Sequence, residues 1–399
     1  MPWKVCDFMS EKVKFVGRLL DGEKMTDLCK EFGISRKTGH KLAKRYELDG
    51  VLGLEDKPRL PFVRPNETPL YVKKLILELR QEHPTWGAPK IKARLERLYK
   101  DQKIPATSTI HQLLVKNDLI LKKRRNPIYK ATGTELSTPQ SPNDLWCVDF
   151  KGQFRMGNKN YCYPLTVTDN YSRYILACEA LQSVKENEIF EPFQWVFDQY
   201  GIPKKIRSDN GVPFSSTGLF GLSKLSVWWL RLGIEIERIK PGNPQQNGAH
   251  ERMHRTLKET ILKTPGINLL QQQEIFESFM TVYNNERPHQ GIEMQCPADL
   301  YLPSTKTNPK QLEDLVYPTG YEEVRVSRCG SIRTKNQNRI FISEILGDQV
   351  LGIKEVEDDL FEVFFMKHTL GYFDSKSEKL KIAENPFLTK NQKIDQQSI

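Results

Sequence analysis

Apolar residues follow three regimes along this chain. From residue 11 to 48, and again from 70 to about 118, they recur three or four positions apart, which predicts short amphipathic helices. Between 145 and 240 they gather into short blocks separated by helical stretches. That pattern predicts strands at 145–156, 161–169, 174–180, 204–208 and 234–240, with helices near 187–200 and 217–232 and another running on from Pro244. From about 315 to 382 the pattern changes to short β-rich runs (EEVRVSR, NRIFISEI, QVLGIKEV, DLFEVFF, KHTLGYFD) broken at turn residues such as Gly347-Asp348 and Asp358-Asp359. Runs so spaced predict a small antiparallel β-barrel over 315–385.

The helical regions divide further. MTDLCKEFGISRKTGHKLAKRY (25–46) has the order of a helix-turn-helix within a first unit, 1–48. Thr26 is placed to cap, Leu28 and Phe32 face inward, Gly33 makes the turn, Ile34 fills the corner, Ser35 caps again and Leu42 packs the second helix. Arg36, Lys37, His40, Lys41 and Lys44 line the outer face of that helix, the face that enters a major groove. Gly39 is out of place there, at a cost of about 1 kcal/mol against alanine. A linker rich in Gly, Pro and charge (49–67) leads to a second helix-turn-helix unit, 68–121. In it HPTWGAP forms a turn, Pro89 suits the first position of a helix, and Thr107 or Ser108 caps the next. Trp86 reads as a core tryptophan held in that turn rather than as a wedge into DNA. A basic linker (122–142) opens on Lys122, Lys123, Arg124 and Arg125, an arm of the kind that contacts phosphates or a minor groove.

Charge sharpens this division. Residues 1–130 carry a net +13 and the remainder −3, so the basic excess lies in the N-terminal third, as expected of a polyanion-binding arm on a near-neutral core. No run approaches the roughly 18 apolar residues of a membrane span, and the first ten residues lack a signal-peptide pattern. The expectation is a cytoplasmic, DNA-associated protein with no membrane partner. Seven scattered cysteines without a CxxC pair argue against a disulfide framework and a structural zinc site.

The chemistry is concentrated in PQQNGAHERMHRTLK (244–258), where turn formers give way to a helical pattern. On a helix, Glu251 and Lys258 lie within roughly 20° of each other, with Arg255 between them. Met253, Leu257 and Ile261 form the apolar stripe. Two other segments, LWCVDF (145–150) and IRSDNG (206–211), each end an apolar strand pattern on an aspartate. Taken in order with VTDNYSRY (167–174), these motifs resemble the catalytic core of the DDE transposases and retroviral-type integrases. YNNERPHQG (283–291) is similar to the segment that follows this core in insertion-sequence transposases. The resemblance covers roughly residues 143–303. The chain lacks the His/His/Cys/Cys spacing of retroviral integrases, which places the likeness on the bacterial branch.

The resemblance implies an α/β RNase H-like core, in agreement with three strands followed by alternating helix and strand. It also implies that Asp149, Asp209 and Glu251 are catalytic residues and ligands of two Mg²⁺ (or Mn²⁺) ions, with Asp149 bridging. Carboxylates suit such hard cations, and an ion pair about 3.5–4 Å apart activates the attacking oxygen and stabilises the leaving one. The function implied is transposition: binding of the element's terminal repeats, 3′-end cleavage and strand transfer. Its partners would be double-stranded DNA, from element ends and target, and further copies of the chain in a dimer or larger assembly. Lys258 matches the basic residue that follows the family's glutamate, whereas Arg255 is assigned to DNA from helical phase. His254 reads either as a neighbour of the metal site or as a packed surface histidine, and Asn210 and Asn247 as loop-shaping or DNA-touching. The 41 residues between Asp209 and Glu251 exceed the retroviral spacing, and the surplus falls in a loop within 215–233. Glu235 and Glu237 are the substitutes for the third acid. An RNase H-like nuclease and a domesticated, catalytically silent DNA-binding regulator remain as other readings.

Overall fold

The computed structural model describes residues 8–56, 67–120, 136–240, 244–261, 264–333, 339–374 and 379–386. The basic run Lys122, Lys123, Arg124 and Arg125 lies outside the described residues. Two compact units are present, residues 1–69 and 70–399. Among the described residues no helix is long and apolar enough to cross a membrane.

The first unit is a three-helix bundle, α1 (Phe8–Leu20), α2 (Met25–Glu31) and α3 (Arg36–Asp49), around Phe15, Val16, Leu28, Cys29, Leu42 and Leu54. Ser35 caps α3 by accepting the Thr38 N–H at 3.2 Å. Thr26 does not cap α2: Met25 packs on the bundle core and is already helical, so Lys24 occupies the cap position without a side-chain bond. Gly39 is explained by packing. A Cβ there would lie 2.7 Å from Met25 Sδ and 2.8 Å from Cys29 Sγ, so α2 crosses α3 where only glycine fits. The first residues of the expected linker belong to the bundle as well: a 3₁₀ turn, Gly50–Leu54, returns Leu54 to the core, and Lys12 Nζ donates to the Leu54 carbonyl at 3.1 Å.

The second unit opens with α4 (Leu70–Glu82), α5 (Ala88–Leu98) and α6 (Thr107–Lys116), packed around Val72, Ile76, Trp86, Ile91, Ile110 and Leu114. Trp86 is buried, its ring stacked on His83 with centroids 3.9 Å apart. Arg80 holds the turn closed by donating to the carbonyls of Trp86 and Leu119. Two expected boundaries shift by one residue. Pro89 is second in α5, where its missing N–H is equally harmless, and Ala106 rather than Thr107 or Ser108 precedes α6, with no side-chain cap. This helical group is fastened to the core that follows it by Arg97 to Asp299 (Nη2 to Oδ1, 2.8 Å) and Arg94 to Glu286 (3.2 Å).

The core comprises β1 (Trp146–Phe150), β2 (Phe154–Arg155), β3 (Tyr161–Asp169), β4 (Ile175–Leu181), α7 (Phe190–Tyr200), β5 (Lys205–Ser208), α8 (Lys224–Arg231), β6 (Glu235–Arg238), α9 (Gly248–Ile261), α10 (Leu269–Asn285) and α11 (Pro297–Leu300). The sheet runs β2-β3-β1-β5-β6 with β4 also on β3; β1 is antiparallel to β3 and parallel to β5. Its central strands are apolar on both sides because both faces are covered. Phe193 and Phe197 of α7 and Leu225 and Trp229 of α8 meet Trp146, Val148 and Ile206 on one face. On the other, Met253, Leu257 and Phe276 meet Cys162, Ile175 and Cys178. The helix expected over 217–232 starts only at Lys224, capped by a reciprocal Ser223–Ser226 pair, because Phe220 holds φ 55° and Gly221 φ 67°, outside helical space.

The C-terminal strands are β7 (Glu322–Arg325), β8 (Ser331–Arg333), β9 (Arg339–Phe341), β10 (Val350–Glu357), β11 (Leu360–Phe365), β12 (His368–Asp374) and β13 (Leu380–Ile382). Among the described residues they are β-rich as the sequence pattern predicts, forming a five-stranded sheet, β13-β12-β11-β10-β7, and a two-stranded β8-β9 ribbon. β8 and β9 pair with each other, and a single parallel bridge from Phe341 to Lys379 links this ribbon to the residue before β13. Leu219, Leu222 and Val227, from the stretch that lengthens the Asp209–Glu251 spacing, sit in the same apolar cluster as this sheet.

Gly39→Ala would gain about 1 kcal/mol by helix propensity alone. The close approach of α2 is expected to outweigh that gain, so the variant should lose rather than gain protection in residues 8–56, as read by native-state hydrogen exchange on the full chain.

Candidate active site

Parallel pairing fixes two of the three acids. Trp146 of β1 lies opposite Ile206 of β5. Three residues on from each are Asp149, still in β1, and Asp209, one position past the end of β5. Adjacent strands are about 4.8 Å apart, so the two aspartates leave neighbouring strand ends side by side. Gly211 N–H donates to Asp209 Oδ1 at 3.1 Å, and a Cβ on Gly211 would sit 3.1 Å from Oδ2, so any larger residue there would press on this carboxylate. Asn210 shapes the same turn by donating to the Ile239 carbonyl at 2.6 Å.

The third acid, Glu251, is exposed in the first turn of α9, where the helix dipole favours a negative charge. Met253 and Leu257 bury the opposite stripe, as the periodicity predicts. His250 and His254, one turn apart, are buried as well and carry the polar attachment of α9. Thr166 Oγ1 donates to the Asp149 backbone carbonyl at 2.9 Å. Its lone pairs are therefore free to accept Nε2–H from His250 (2.8 Å) and from His254 (2.7 Å). His250 Nδ1 then accepts from Thr168 Oγ1 at 2.7 Å. The scheme assigns both rings the neutral Nε2–H tautomer. It also leaves His254 Nδ1 with an unused lone pair 3.7 Å from Asp149 Oδ2. Burial supports the neutral form, holding His250 well below the usual imidazole range and lowering His254 to about 3. Sequence reasoning missed His250; the signal was two histidines at i and i+4 beside a strand reading Thr-Val-Thr.

Burial, reinforced by the charge of Asp209 and to a smaller extent Glu251, pushes the Asp149 carboxyl up to about 7. The charges of Asp209 and Glu251 are therefore both felt at Asp149. The three acids do not form the tightest cluster: among the described residues, the set of three potential ligand atoms within 4.8 Å of one another is Asp149, His250 and His254. Both nitrogens of His250 are occupied by threonines, so of the two rings only His254 offers a free lone pair. A desolvated carboxylate crowded by further carboxylates is costly unless a proton or a cation neutralises it, and oxygen donors suit Mg²⁺ or Mn²⁺. The residues present fit a divalent ion on that ground. The substitutes fit worse. Glu237 is buried with its carboxylate committed to Arg207 Nε (2.6 Å) and Ser137 N–H (3.0 Å), and Glu235 pairs with Lys205 (3.1 Å).

Arg255 and Lys258 are exposed on the Glu251 side of α9, and Arg36, Lys37, His40, Lys41 and Lys44 are exposed on α3. Asn247 is buried and its side-chain carbonyl has no partner, which places it in the turn before α9 rather than on a DNA-facing surface.

Comparison with known proteins bears on the same segments. Residues 139–244 and 232–297 match models of an integrase core domain, residues 11–62 a helix-turn-helix domain and residues 38–114 a homeodomain-like domain. An uncharacterized 31.7 kDa protein of insertion element IS407 from Burkholderia multivorans is 23% identical over 252 residues, 60% of this chain and 85% of that protein. The Gag-Pol polyprotein of baboon endogenous virus is 26% identical over 220 residues, 54% of this chain but only 12% of the polyprotein. Among solved structures, the HTLV-2 integrase catalytic core domain in complex with magnesium is 15% identical, covering 41% of this chain and all of that one with a TM-score of 0.33.

A pH test isolates Asp149. Its folded pKa of about 7 exceeds an unfolded value of about 3.9, so the folded chain keeps a proton that the unfolded chain has released. The stability this contributes is complete below about pH 4 and is lost as pH rises to about 7. His254, lowered to about 3, contributes in the opposite sense. The wild-type minus Asp149→Asn difference removes that term, and it should fall across pH 4–7 in urea unfolding without divalent ions. A flat difference would mean that Asp149 titrates normally.

Proposed function

We propose that this chain, an insertion-sequence transposase with an integrase core behind helix-turn-helix domains, binds the terminal repeats of its mobile element, cleaves their 3′ ends and joins them to target DNA. The observation that carries the reading is the matched position of Asp149 and Asp209 at adjacent parallel strand ends, with the Glu251 helix tied by hydrogen bonds to the neighbouring strand.

Integrase cores use divalent metal ions. Asp149, Asp209 and Glu251 are the residues that would hold two of them here. Bound there, the ions supply activation of the attacking oxygen and stabilisation of the leaving 3′ oxygen. The chain's own residues do the rest. Arg255 and Lys258, on the Glu251 side of α9, hold phosphates of the element end against the acids. Arg36, Lys37, His40, Lys41 and Lys44 present α3 to a major groove, and the Lys122–Arg125 run adds phosphate contacts. Water attacks in the nicking step and the freed 3′-hydroxyl in strand transfer, so no side chain becomes covalently attached. Joining two ends calls for at least two copies of the chain on DNA, in the cytoplasm where bacterial DNA lies.

The test is incubation of the full chain with end DNA and Mg²⁺ or Mn²⁺, followed by mapping of the nick. Asp149→Asn, Asp209→Asn and Glu251→Gln should each lower nicking by about 10³-fold or more, as for members of one catalytic unit, while end binding persists. Tight end binding by the wild type with no cleavage under either ion would instead identify a silent DNA-binding regulator.

A further inference from the structure

A cavity of about 480 Å³ opens beside the Glu251 helix. Its walls bring together Lys90 of α5, Arg173 of the β3–β4 turn, Arg252 and Arg255 of α9, and Arg287 and His289 just beyond α10. The last two belong to YNNERPHQG, a motif to which the chemistry above gives no task. No carboxylate is among the described residues lining the cavity. Arg287 Nε and His289 Nε2 are buried without a hydrogen-bond partner. A guanidinium N–H can only donate, so the Arg287 atom lacks an acceptor that the protein does not provide. The cations also feel one another. Lys90 is pushed down to about 8 by burial and then by Arg287, and Arg173 is lowered by burial and then by Arg252. Glu259, outside the cavity lining, opposes the shift at Lys90.

We propose that this cavity is an oxyanion site that takes one phosphate group, with Arg287 and Lys90 as its inner donors and Arg252 and Arg255 at its mouth. Several cationic donors lining one partly desolvated cavity suit a phosphate, which arginine grips in bidentate fashion. The volume exceeds what a phosphate alone fills and lies in the range of small-ligand pockets, so the attached sugar can enter with it. The source of the phosphate is either a DNA strand passing Glu251, which rests on the transposase reading, or a free phosphate. Lys90 comes from the second helical group, so a phosphate held there would also bridge that group to the core.

The test uses the full chain without divalent ions and two probes: a labelled DNA duplex with an unpaired tail, followed by anisotropy over a salt series, and inorganic pyrophosphate, followed by the shift in melting temperature. Lys90→Gln and Arg287→Gln should each weaken DNA binding by about 10-fold and lower the slope of log K against log salt by about 1. If they instead abolish only the pyrophosphate shift, the site holds a free phosphate. Folded variants with wild-type DNA affinity, salt slope and pyrophosphate shift would overturn the proposal. Should Arg287→Gln fail to fold, Lys90→Gln on the face of α5 decides alone. Because no ion is present, cleavage plays no part. A chain that binds through this pocket but never cuts refutes the transposase chemistry only, and one that cuts with both variants unaffected in binding refutes the pocket only.

Discussion

The hydroxyl of Thr166 is the point on which the geometry of the candidate active site depends. One oxygen atom gives its proton to the Asp149 carbonyl and accepts two imidazole N–H groups from α9, joining a strand, its neighbour and a helix. Apolar contact through Met253 and Leu257 holds α9 on the sheet, but area burial is non-directional and tolerates rotation or sliding. The threonine–histidine network removes that freedom, because a shift of one residue would leave buried donors unpaired, at a cost of about 1–3 kcal/mol each. The exposed position of Glu251 in the first turn is thereby set by partners on the hidden side of its own helix.

A second buried polar contact does the same for the opposite end of the sheet. Arg207 and Glu237 pair at 2.6 Å between β5 and β6, and Arg207 also reaches the Ser137 carbonyl at 2.7 Å. The strand that delivers Asp209 is thus tied to its outer neighbour and to the segment entering the core. A buried ion pair contributes little net stability against apolar packing, but loss of either partner leaves an uncompensated charge, so it disfavours other strand registers. The long spacing between Asp209 and Glu251 has a comparable explanation. Leu219, Leu222 and Val227 share an apolar cluster with the C-terminal sheet, so the additional residues form a docking surface rather than a free loop.

How much of this was legible in the sequence follows from the range of each signal. The strand and helix order of the core was readable because each element is set by local periodicity, as was Leu42 facing inward beside a row of exposed cations on α3. Features set by distant partners were not. Gly39 read as a defect until Met25 and Cys29 were seen against it. Thr26, Thr107 and Ser108 read as caps on residue type alone, yet tertiary packing chose other starting points for α2 and α6. Strand spacing predicted the β-rich C-terminal region but not its pairing, in which β8 joins β9 and β7 joins β10. His250 passed unnoticed because a histidine's role depends on which hydroxyls face it, and those lie over 80 residues away in the chain.

The same proton count bears on the charge that Asp149 can carry in its half-buried position. With Nε2–H committed to Thr166, His254 turns a lone pair toward the Asp149 carboxylate at 3.7 Å, so two acceptors face each other. The charges of Asp209 and Glu251 add to this in disfavouring a negative charge on Asp149, while Lys151 and the Phe150 N–H work the other way. Such a pocket is neutralised either by a proton on the carboxyl, which its pKa of about 7 permits near neutral pH, or by a cation placed between the acceptors. A divalent ion bound there would displace that proton, and the histidine that locks the helix in register is also the group that turns a lone pair toward the position. Structural attachment and the lone pair turned toward Asp149 are thus two results of a single tautomer choice, made by a threonine on the adjacent strand.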